Sequence, residues 1–404
     1  MFLGYYFFSY RRLKVGIFTE ITNENFQILN IISTFAQKMA GLYLHIPFCK
    51  SRCVYCGFYS TTHAELRQQY VDAVCREMEM RHQEDGSPIS TIYIGGGTPS
   101  QLTHEQLRQL FLNINKVYSL SPKTEITIEV NPDDVTAAYT ETLIQLGINR
   151  VSMGAQTFDD QRLSWLHGRH TSDQVRQAVQ HLRNAGFHNI SVDLMYGFPH
   201  ETLSDWQHDI EEVLGLHVEH ISAYCLMIEE GTPLHRMGVG STDEETERQM
   251  YEVLIDKLTD AGYEHYEISN FARPGFRSRH NSSYWQDIPY IGLGAAAHSY
   301  DRKSRSWNIA DIRQYIEAIR QDRRPCESES IDPDTHYNDL ITTALRTRDG
   351  LDLTTLDEYY RQYCLREAQQ YLAEGLLRIA DNHLSLTRKG LFVSDMVMSA
   401  LVCV

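Results

Sequence analysis

Short apolar runs alternate with longer stretches of helical periodicity over most of the chain. Six runs are rich in β-branched and aromatic residues, at 42–46, 91–94, 125–130, 150–153, 190–195 and 220–226. Each is followed by a helical pattern, near 63–82, 103–118, 135–146, 172–185, 202–215 and 243–261. Strands that alternate with helices predict βα units and a parallel sheet. Six units predict an α/β fold with a partial (β/α)6 barrel rather than a closed eight-stranded one.

The alternation stops after residue 262. The pattern at 264–307 predicts irregular strand and loop packed against the barrel, and Glu327–Ser330, with the sequence ESES, predicts an acidic linker. Helical patterns return near 333–346 and 353–373, followed by a hairpin near 376–386 and a last helix near 388–401. Helices that precede a small β-wing predict a C-terminal winged-helix-like accessory domain. A structural or partner-docking role suits its acidic balance better than DNA binding.

Four segments are therefore predicted: an N-terminal extension over 1–38, the barrel over 39–262, the packing segment over 263–325 and the accessory domain over 326–404. Residues 1–38 open with an apolar stretch before an Arg pair, which reverses the order of a secretory signal. Met39 directly precedes the first predicted strand. We expect the working protein to start there, with 1–38 as an upstream-start artefact or a loose extension. The alternative is an aromatic tail that touches a membrane.

Composition narrows the class of protein. The 404 residues are 42% hydrophobic and 22% charged, which is typical of globular chains. The net charge of −16 disfavours general nucleic-acid binding, since phosphate backbones require concentrated Lys and Arg. No apolar run approaches the ~18 residues of a spanning helix, so no transmembrane segment is expected. Peripheral membrane association through a partner stays open.

Three of the eight cysteines fall within eight residues. Cys49, Cys53 and Cys56 have the spacing C-x3-C-x2-C, and the other five cysteines are scattered. Three thiolates this close can ligate three irons of one [4Fe–4S] cube and leave the fourth iron for a substrate or cofactor. The alternatives are a zinc site that recruits His45, or cysteines of the core. A metal site fits a reducing compartment, so we expect a cytoplasmic protein.

Unusual polar residues and glycines follow the predicted strands. The cysteine loop follows the first strand. The second strand ends in a triple glycine at 95–97, which includes Gly96 and Gly97 and is followed by Thr98. The next three strands end near Glu129, Gln156 and Asp193. The carboxyl ends of barrel strands form one face, so these groups should converge on a pocket. Arg169 could add a bidentate contact to a carboxylate. Each residue alone also fits an ordinary turn or helix cap.

Together these residues resemble the radical S-adenosylmethionine (radical SAM) superfamily. A narrower likeness, to the oxygen-independent coproporphyrinogen III oxidase family, covers about residues 41–400, with motif matches at 43–49, 95–99, 156–158 and 193–199. The resemblance implies a radical-SAM-type barrel, a [4Fe–4S] cluster on the three cysteines, S-adenosylmethionine and an electron donor. It assigns Tyr43, Gly96 and Glu129 to the first cofactor site. The implied second S-adenosylmethionine site comprises Tyr55, Gly97, Thr98, Gln156, Arg169 and Asp193.

Two branches of that family differ near the cluster. The oxidase branch has a further cysteine two positions after the third ligand, where this chain has Phe58. The branch of HemW-like haem chaperones lacks that cysteine and has a segment similar to residues 280–285, HNSSYW. The resemblance therefore favours a chaperone that binds haem and delivers it to an acceptor protein.

Haem binding needs an apolar slot, an axial ligand and groups for the propionates. His280 opens the distinguishing segment and is the predicted axial ligand, with Arg277 and Arg279 near the propionates. The alternative role of His280 is that of an ordinary hydrogen-bonded histidine or of a contact to another part of the pocket. The other histidines, Tyr284 and Cys225 stay open as alternative ligands. Two other functions stay open: an anaerobic oxidase that makes protoporphyrinogen IX from coproporphyrinogen III, and a radical SAM enzyme of unknown substrate. The sequence leaves open whether the protein is an enzyme.

Overall fold

A computed structural model describes residues 41–82, 84 and 88–403. The predicted extension over 1–38 lies outside the described residues. Six βα units follow one another over residues 41–260. They comprise β1 Gly41–Ile46, α1 Arg67–Met80, β2 Ile89–Gly96, α2 His104–Val117, β3 Leu120–Val130, α3 Ala137–Gln145, β4 Arg150–Gln156, α4 Asp160–Trp165, α5 Ser172–Asn184, β5 Ile190–Tyr196, α6 Leu203–Gly215, β6 His220–Cys225, α7 Pro233–Arg236 and α8 Glu244–Asp260.

The helix ends follow local sequence signals. Thr103, Thr171 and Thr202 each close a capping box with the residue three positions on, which satisfies two otherwise unpaired N–H groups. Gly147 and Gly186 follow α3 and α5 with φ of 76° and 96°, the left-handed conformation of a C′ glycine. These signals explain why the predicted helices and the observed ones agree closely in their bounds.

Strands β1 to β6 pair in parallel and in chain order. This confirms the predicted α/β fold with six parallel strands. Over the described residues the sheet is nevertheless larger, with twelve strands in the order β12-β11-β10-β9-β1-β2-β3-β4-β5-β6-β8-β7. The added elements are β7 Glu264–Glu267, β8 Asn270–Ala272, α9 Arg279–Trp285, β9 Tyr290–Leu293, β10 His298–Tyr300, β11 Ser304–Asn308, α10 Ile312–Arg320 and β12 Cys326–Ser330.

Two expectations about this later part of the chain are wrong. The stretch 264–307 is regular, because its strands extend the sheet at both edges and it contains a helix. The expected linker at Glu327–Ser330 belongs to β12, which pairs with β11 over five residues. All five residues of β12 are exposed, as suits a charged edge strand that discourages further pairing.

The C-terminal part has its own core and its own small sheet. It comprises α11 Pro333–Ala344, β13 Leu351–Asp352, α12 Glu358–Ala373, β14 Leu377–Ala380, β15 His383–Leu386, α13 Arg388–Leu391 and α14 Ser394–Leu401. The three strands are antiparallel, in the order β13-β15-β14. Helices with a small antiparallel sheet are what the sequence predicts here. An Arg346–Glu267 ion pair of 2.8 Å joins this part to the main sheet.

The predicted boundaries at 262 and 325 stay a prediction. Across residues 41–82, 84 and 88–403, none of the helices combines the length and the apolar character that a bilayer crossing requires.

Candidate functional site

The cysteine loop follows β1 and is fixed by backbone hydrogen bonds to distant segments. Cys49 N donates to Thr61 O at 2.9 Å, and Val54 N donates to Leu166 O at 3.2 Å. Leu234 N donates to Val54 O at 2.9 Å. The loop between the first strand and the first helix is therefore fixed by one hydrogen bond within itself and by two to other parts of the chain, at Leu166 and Leu234.

The triple glycine after β2 lies directly against this loop. Gly97 N donates to Ile46 O at 2.9 Å, and Thr98 N donates to Phe48 O at 2.8 Å. The Thr98 hydroxyl donates to Cys49 Sγ at 3.6 Å. A Cβ on Gly97 would lie 2.8 Å from the Pro47 carbonyl carbon and 3.0 Å from Cys49 Sγ, closer than side chains approach. Glycine is thus required for the two loops to meet.

These loops border a cavity of about 220 Å³, which we call the cysteine cavity. Its walls include most of the residues that the sequence predicts. They are Cys49, Cys53, Tyr55, Cys56, Gly96, Gly97, Thr98, Glu129, Gln156, Arg169 and Asp193. Convergence of the strand ends on one pocket is therefore observed, whereas Tyr43 and His280 lie elsewhere.

The three cysteines fit an iron–sulfur cube better than zinc. All three are free thiols. Among the described residues, no set of three His, Cys, Asp or Glu side chains converges on the position of one metal ion. A cube takes its thiolates at three separate irons and does not need such a point. Both ring nitrogens of His45 are engaged, with Tyr43 Oη and with Tyr59 O at 3.0 Å each, so His45 is not directed at the cysteines.

Burial perturbs the ionisation of the thiols. It raises the pKa of Cys56 to about 12, and the nearby thiols add to this while Arg52 opposes it. A thiol with a raised pKa stays protonated in the absence of metal. Metal binding then releases its proton and forms the thiolate.

Glu129 is held at the end of β3 by two donors. Tyr93 Oη donates to one carboxylate oxygen at 2.8 Å, and Gly96 N donates to the other at 3.1 Å. Burial raises the pKa of Glu129 to about 7, although both hydrogen bonds lower it. The carboxylate is thus oriented towards the cavity and can accept from a hydroxyl or an amino group.

Two arginines that line the cysteine cavity have buried donors without a partner among the described residues. Arg169 pairs through Nη2 with Asp133 at 2.7 Å and Asp134 at 2.8 Å, while its Nη1 is buried without a partner among the described residues. Arg150 is 1% exposed, and its Nε and Nη1 likewise lack partners there. Buried N–H groups of this kind are normally satisfied, so both positions fit an anionic group such as a carboxylate.

Gln156 and Asp193 complete this wall. Gln156 has a left-handed φ of 67° at a register shift between β4 and β5, which redirects its side chain over Gly154. The Ser152 hydroxyl lies 3.4 Å from Asp193 Oδ2. Burial raises the pKa of Asp193, and Arg150 opposes this. Tyr55 stands beside Cys53, and burial raises its pKa.

A second, larger cavity of about 910 Å³ adjoins the first, and we call it the sheet-edge cavity. Gly57, Phe58, Tyr93, Gly96, Glu129 and Asn281 line both cavities. Aromatic side chains form much of the larger wall. They are Tyr43, Phe58, Tyr59, Tyr93, Tyr284, Tyr290, Tyr300 and Trp307. A flat apolar ligand suits such a wall, because aromatic rings stack on extended π-systems.

Tyr43 and His280 line the sheet-edge cavity. His280 is 1% exposed, with Nδ1 bonded to Thr91 Oγ1 and Nε2 to Tyr284 Oη, at 2.9 Å each. Burial lowers its pKa to about 3. This is the arrangement of an ordinary hydrogen-bonded histidine, so an axial bond from His280 to haem iron would require one of these contacts to break. The role of His280 as a ligand stays a prediction.

The two arginines expected at the propionates are occupied elsewhere. Arg277 pairs with Glu264 at 3.1 Å and Asp349 at 2.8 Å, and Arg279 donates to Lys123 O at 2.6 Å. Neither lines either cavity. The structure does not support their contact with a ligand there.

One face of β10, β11 and β12 also lines the sheet-edge cavity and was not predicted. Directly opposed residues in antiparallel strands point to the same side, and His298 lies opposite Trp307, which lies opposite Glu327. The next pairs along the strands bring Tyr300, Arg305 and Glu329 to that side as well. No sequence motif marks these residues, since their common face depends on strand pairing.

Comparisons with known proteins agree with this geometry. The family model of the Radical SAM superfamily matches residues 43–213, and that of the HemN C-terminal domain matches residues 331–393. A protein of Bacillus subtilis (strain 168) named heme chaperone HemW is 34% identical over 376 residues, 90% of this chain and 99% of the relative. The HemW of Mycobacterium tuberculosis (strain ATCC 25618 / H37Rv) is 32% identical over 372 residues, 90% and 94% of the two chains.

A solved structure has the same fold. Coproporphyrinogen III oxidase (HemN) from Escherichia coli, described as a radical SAM enzyme, matches with a TM-score of 0.80 at 21% identity, covering 91% of each chain. The radical SAM family implies a [4Fe–4S] cluster and S-adenosylmethionine, and the cysteine cavity has groups that fit both. Since its curated relatives are more than 30% identical over nine tenths of its length, the chain belongs to the HemW family within the radical SAM superfamily.

Proposed function

We propose that this protein is a haem chaperone, which binds haem in the sheet-edge cavity and delivers it to an acceptor protein. The cysteine cavity holds the [4Fe–4S] cluster and S-adenosylmethionine. Relatives that share the whole barrel and the C-terminal part are named heme chaperones. Haem as the cargo, the existence of an acceptor protein and the transfer of haem to it are all parts of this proposal.

The main support for this proposal is that two cavities with different linings lie next to each other. The cysteine cavity has thiols and unpaired buried N–H donors. The sheet-edge cavity is larger, and aromatic rings form much of its wall. Its volume of about 910 Å³ is at the upper end of the ~300–1,000 Å³ typical of small-molecule sites. A macrocycle therefore has space beside the cluster without entering its pocket.

Named residues account for cofactor binding. Cys49, Cys53 and Cys56 hold the cluster, and a reduced cluster supplies one electron to bound S-adenosylmethionine. Glu129 accepts from a polar group of the cofactor, while Arg169 Nη1 offers its unpaired donor to a carboxylate. The tight Gly97 contact keeps the cysteine loop in place while these groups bind.

The oxidase alternative is less well supported. The oxidase branch has a cysteine where this chain has Phe58, and Phe58 lines both cavities at their junction. An apolar ring at that point separates the cluster from the larger cavity by packing and offers no thiol for chemistry. We expect no turnover of coproporphyrinogen III.

Anaerobic reconstitution followed by haem titration tests the proposal. The full chain with its cluster is titrated with ferric haem, with and without S-adenosylmethionine, and bound haem is followed by its absorption spectrum. We expect saturation at one haem per chain and no protoporphyrinogen IX in a parallel incubation with coproporphyrinogen III. Absence of saturable haem binding, or turnover of coproporphyrinogen III, would contradict it.

We also place the protein in the cytoplasm, with an electron donor for the cluster as a further partner. All eight cysteines are free, which suits a reducing compartment. The net charge of −16 supports the expectation that nucleic acid is not a partner. Contact with a membrane would then be peripheral and through the acceptor.

A further inference from the structure

His298 stands on the face of β10 that lines the sheet-edge cavity. Its imidazole stacks on the indole of Trp307, with the ring centroids 5.9 Å apart and an interplanar angle of 28°. Strand pairing fixes this contact, because His298 and Trp307 are directly opposed between β10 and β11. The ring is therefore held against a rigid aromatic surface on one side and faces the cavity on the other.

The ring nitrogens of His298 differ from those of the other two histidines that line this cavity. His45 and His280 each use both ring nitrogens in hydrogen bonds. Within the described part of the chain, the His298 ring makes no hydrogen bond. The side chain is open to the cavity, while the cavity walls partly shield it from bulk water. A nitrogen lone pair is thus available to a ligand without loss of an existing contact.

The protonation state of His298 suits metal binding. Burial lowers its pKa, and the nearby Arg305 guanidinium adds to this, while Glu329 opposes it. The neutral ring that results at pH 7 is the form that binds iron.

A cation stands at the border of the same cavity. Arg323 is exposed and lines the cavity, and its guanidinium has neither an ion pair nor a hydrogen bond among the described residues. The neighbouring arginines are engaged: Arg324 donates to Asn308 at 2.9 Å, and Arg305 pairs with Asp339. Arg323 is therefore the cation that can pair with an incoming carboxylate at little cost.

We propose that His298 supplies the axial ligand to the haem iron in the sheet-edge cavity, with Trp307 packed beside the imidazole and Arg323 paired with a propionate. This inference rests on the proposed function, since it takes haem as the cargo. It assigns the iron contact to the antiparallel edge of the sheet instead of to the segment that begins at His280.

The test is a haem titration of the full-length, cluster-loaded His298→Ala variant. We expect the Kd for ferric haem to rise by about tenfold or more, which corresponds to about 1.4 kcal/mol. We also expect the absorption and electron paramagnetic resonance signals of histidine-ligated ferric haem to disappear. Free imidazole added to the variant should restore those signals, which a merely structural loss would not allow. His208→Ala, an exposed histidine on α6 outside both cavities, is the matched control.

Two further variants separate the ligand from its surroundings. His298→Gln keeps a side chain of similar size without an imidazole and should behave like His298→Ala, which covers the case in which the alanine variant does not fold. Arg323→Gln should weaken haem binding by about three- to tenfold, as expected for one lost charge pair, with the spectrum of bound haem unchanged.

The outcomes distinguish the two proposals. If the unmodified protein binds no haem, the proposed function fails. If it binds haem but both His298 variants keep its affinity and spectrum, the assignment of His298 is overturned while the chaperone function stands. If His280→Ala alone removes the histidine signature, the ligand is His280 and the inference is likewise overturned.

Discussion

The two adjoining cavities are built by different parts of one sheet. The cysteine cavity lies at the carboxyl ends of parallel strands, where loops carry thiols, glycines and charged groups. The sheet-edge cavity is lined by one face of the antiparallel strands β10 to β12 and by aromatic rings. Charged side chains line both cavities, but the second also has a broad aromatic wall that suits a flat ligand. Under the proposed function, the parallel part of the sheet would bind the cofactors and the antiparallel edge would bind the haem.

Removal of one cluster thiol is the strongest test of whether the two cavities act as separate binding sites. Cys53→Ala should abolish the cluster, because two thiolates do not hold the cube, and iron and sulfide should fall to background after anaerobic reconstitution. Haem affinity should stay within about twofold, because Cys53 does not line the sheet-edge cavity, although the two cavities adjoin. Cys326→Ser, a cysteine at the sheet-edge cavity, is the control and should keep its iron. Equal loss of haem and iron in Cys53→Ala would mean that the cavities act as one site.

The sheet-edge cavity depends on a buried carboxylate in α1. Glu77 is fully buried and accepts from Asn308 at 2.8 Å, Tyr315 at 2.7 Å and the backbone of Gly294 at 2.8 Å. Glu77→Ala should lower the free energy of unfolding by about 3–5 kcal/mol, because it leaves these three buried donors without their acceptor and leaves the buried Arg81 with Glu84 as its remaining carboxylate partner.

Hydrogen exchange should locate this loss in residues 290–325. Glu79→Ala, two positions away on the same helix, removes only surface ion pairs and should cost less than about 1 kcal/mol. Equal effects of the two substitutions would show that the Glu77 network does not hold the antiparallel edge.

The cysteine cavity has its own steric requirement. Gly97→Ala should cost about 1–3 kcal/mol, since a Cβ would press on the Pro47 carbonyl and on Cys49 Sγ. Thermal unfolding and iron content of the reconstituted protein measure the effect. Gly215→Ala is the matched control, because nothing lies within 4 Å of a Cβ at the end of α6. Retention of full stability and iron by Gly97→Ala would contradict the requirement.

The smallest expected effect is a pH dependence at the boundary between the cavities. Burial raises the pKa of Glu129 from its usual value near 4.5 to about 7, so the folded protein binds the proton more tightly than the unfolded chain. Its contribution to stability is therefore fully present below pH 4.5 and is lost as the pH rises through 7.

The free energy of unfolding should fall less between pH 5 and pH 8 in Glu129→Gln than in the unmodified protein, by on the order of 1 kcal/mol. Denaturant unfolding at both pH values measures the difference. Tyr93→Phe removes a hydrogen bond that lowers the pKa, so it should move the window to higher pH. An unchanged pH dependence in both variants would show that Glu129 is ionised normally.

The parallel half of the molecule could be predicted from sequence because its signals are local. A buried parallel strand is a continuous apolar run, and each helix after it has its own cap, as Thr103 and Thr171 show. The carboxyl ends of barrel strands meet at one face. The polar residues that follow the predicted strands therefore sufficed to predict the lining of the cysteine cavity.

The antiparallel edge could not be predicted in the same way. Strands β10 to β12 have three to five residues each, and their cavity face holds polar and charged side chains that look like a loop. Helix α9 is also hidden, since its sequence RHNSSYW has no apolar period. It is fixed by tertiary contacts, with Glu125 accepting from the backbone of Arg279 and His280. The sequence did not predict that Arg150 lines the cysteine cavity, because the first residue of a strand is usually outside the core.

The position of β1 has a consequence for synthesis on the ribosome. It lies between β2 and β9, and both of its neighbours pair with it in parallel. About 240 residues separate it from β9, so at roughly 5–20 residues per second one edge of β1 waits some ~12–50 s for its partner. During that time a bare row of amide and carbonyl groups beside the cysteine loop is open to other chains. Nascent copies should accordingly need protection from aggregation until residue 293 has emerged.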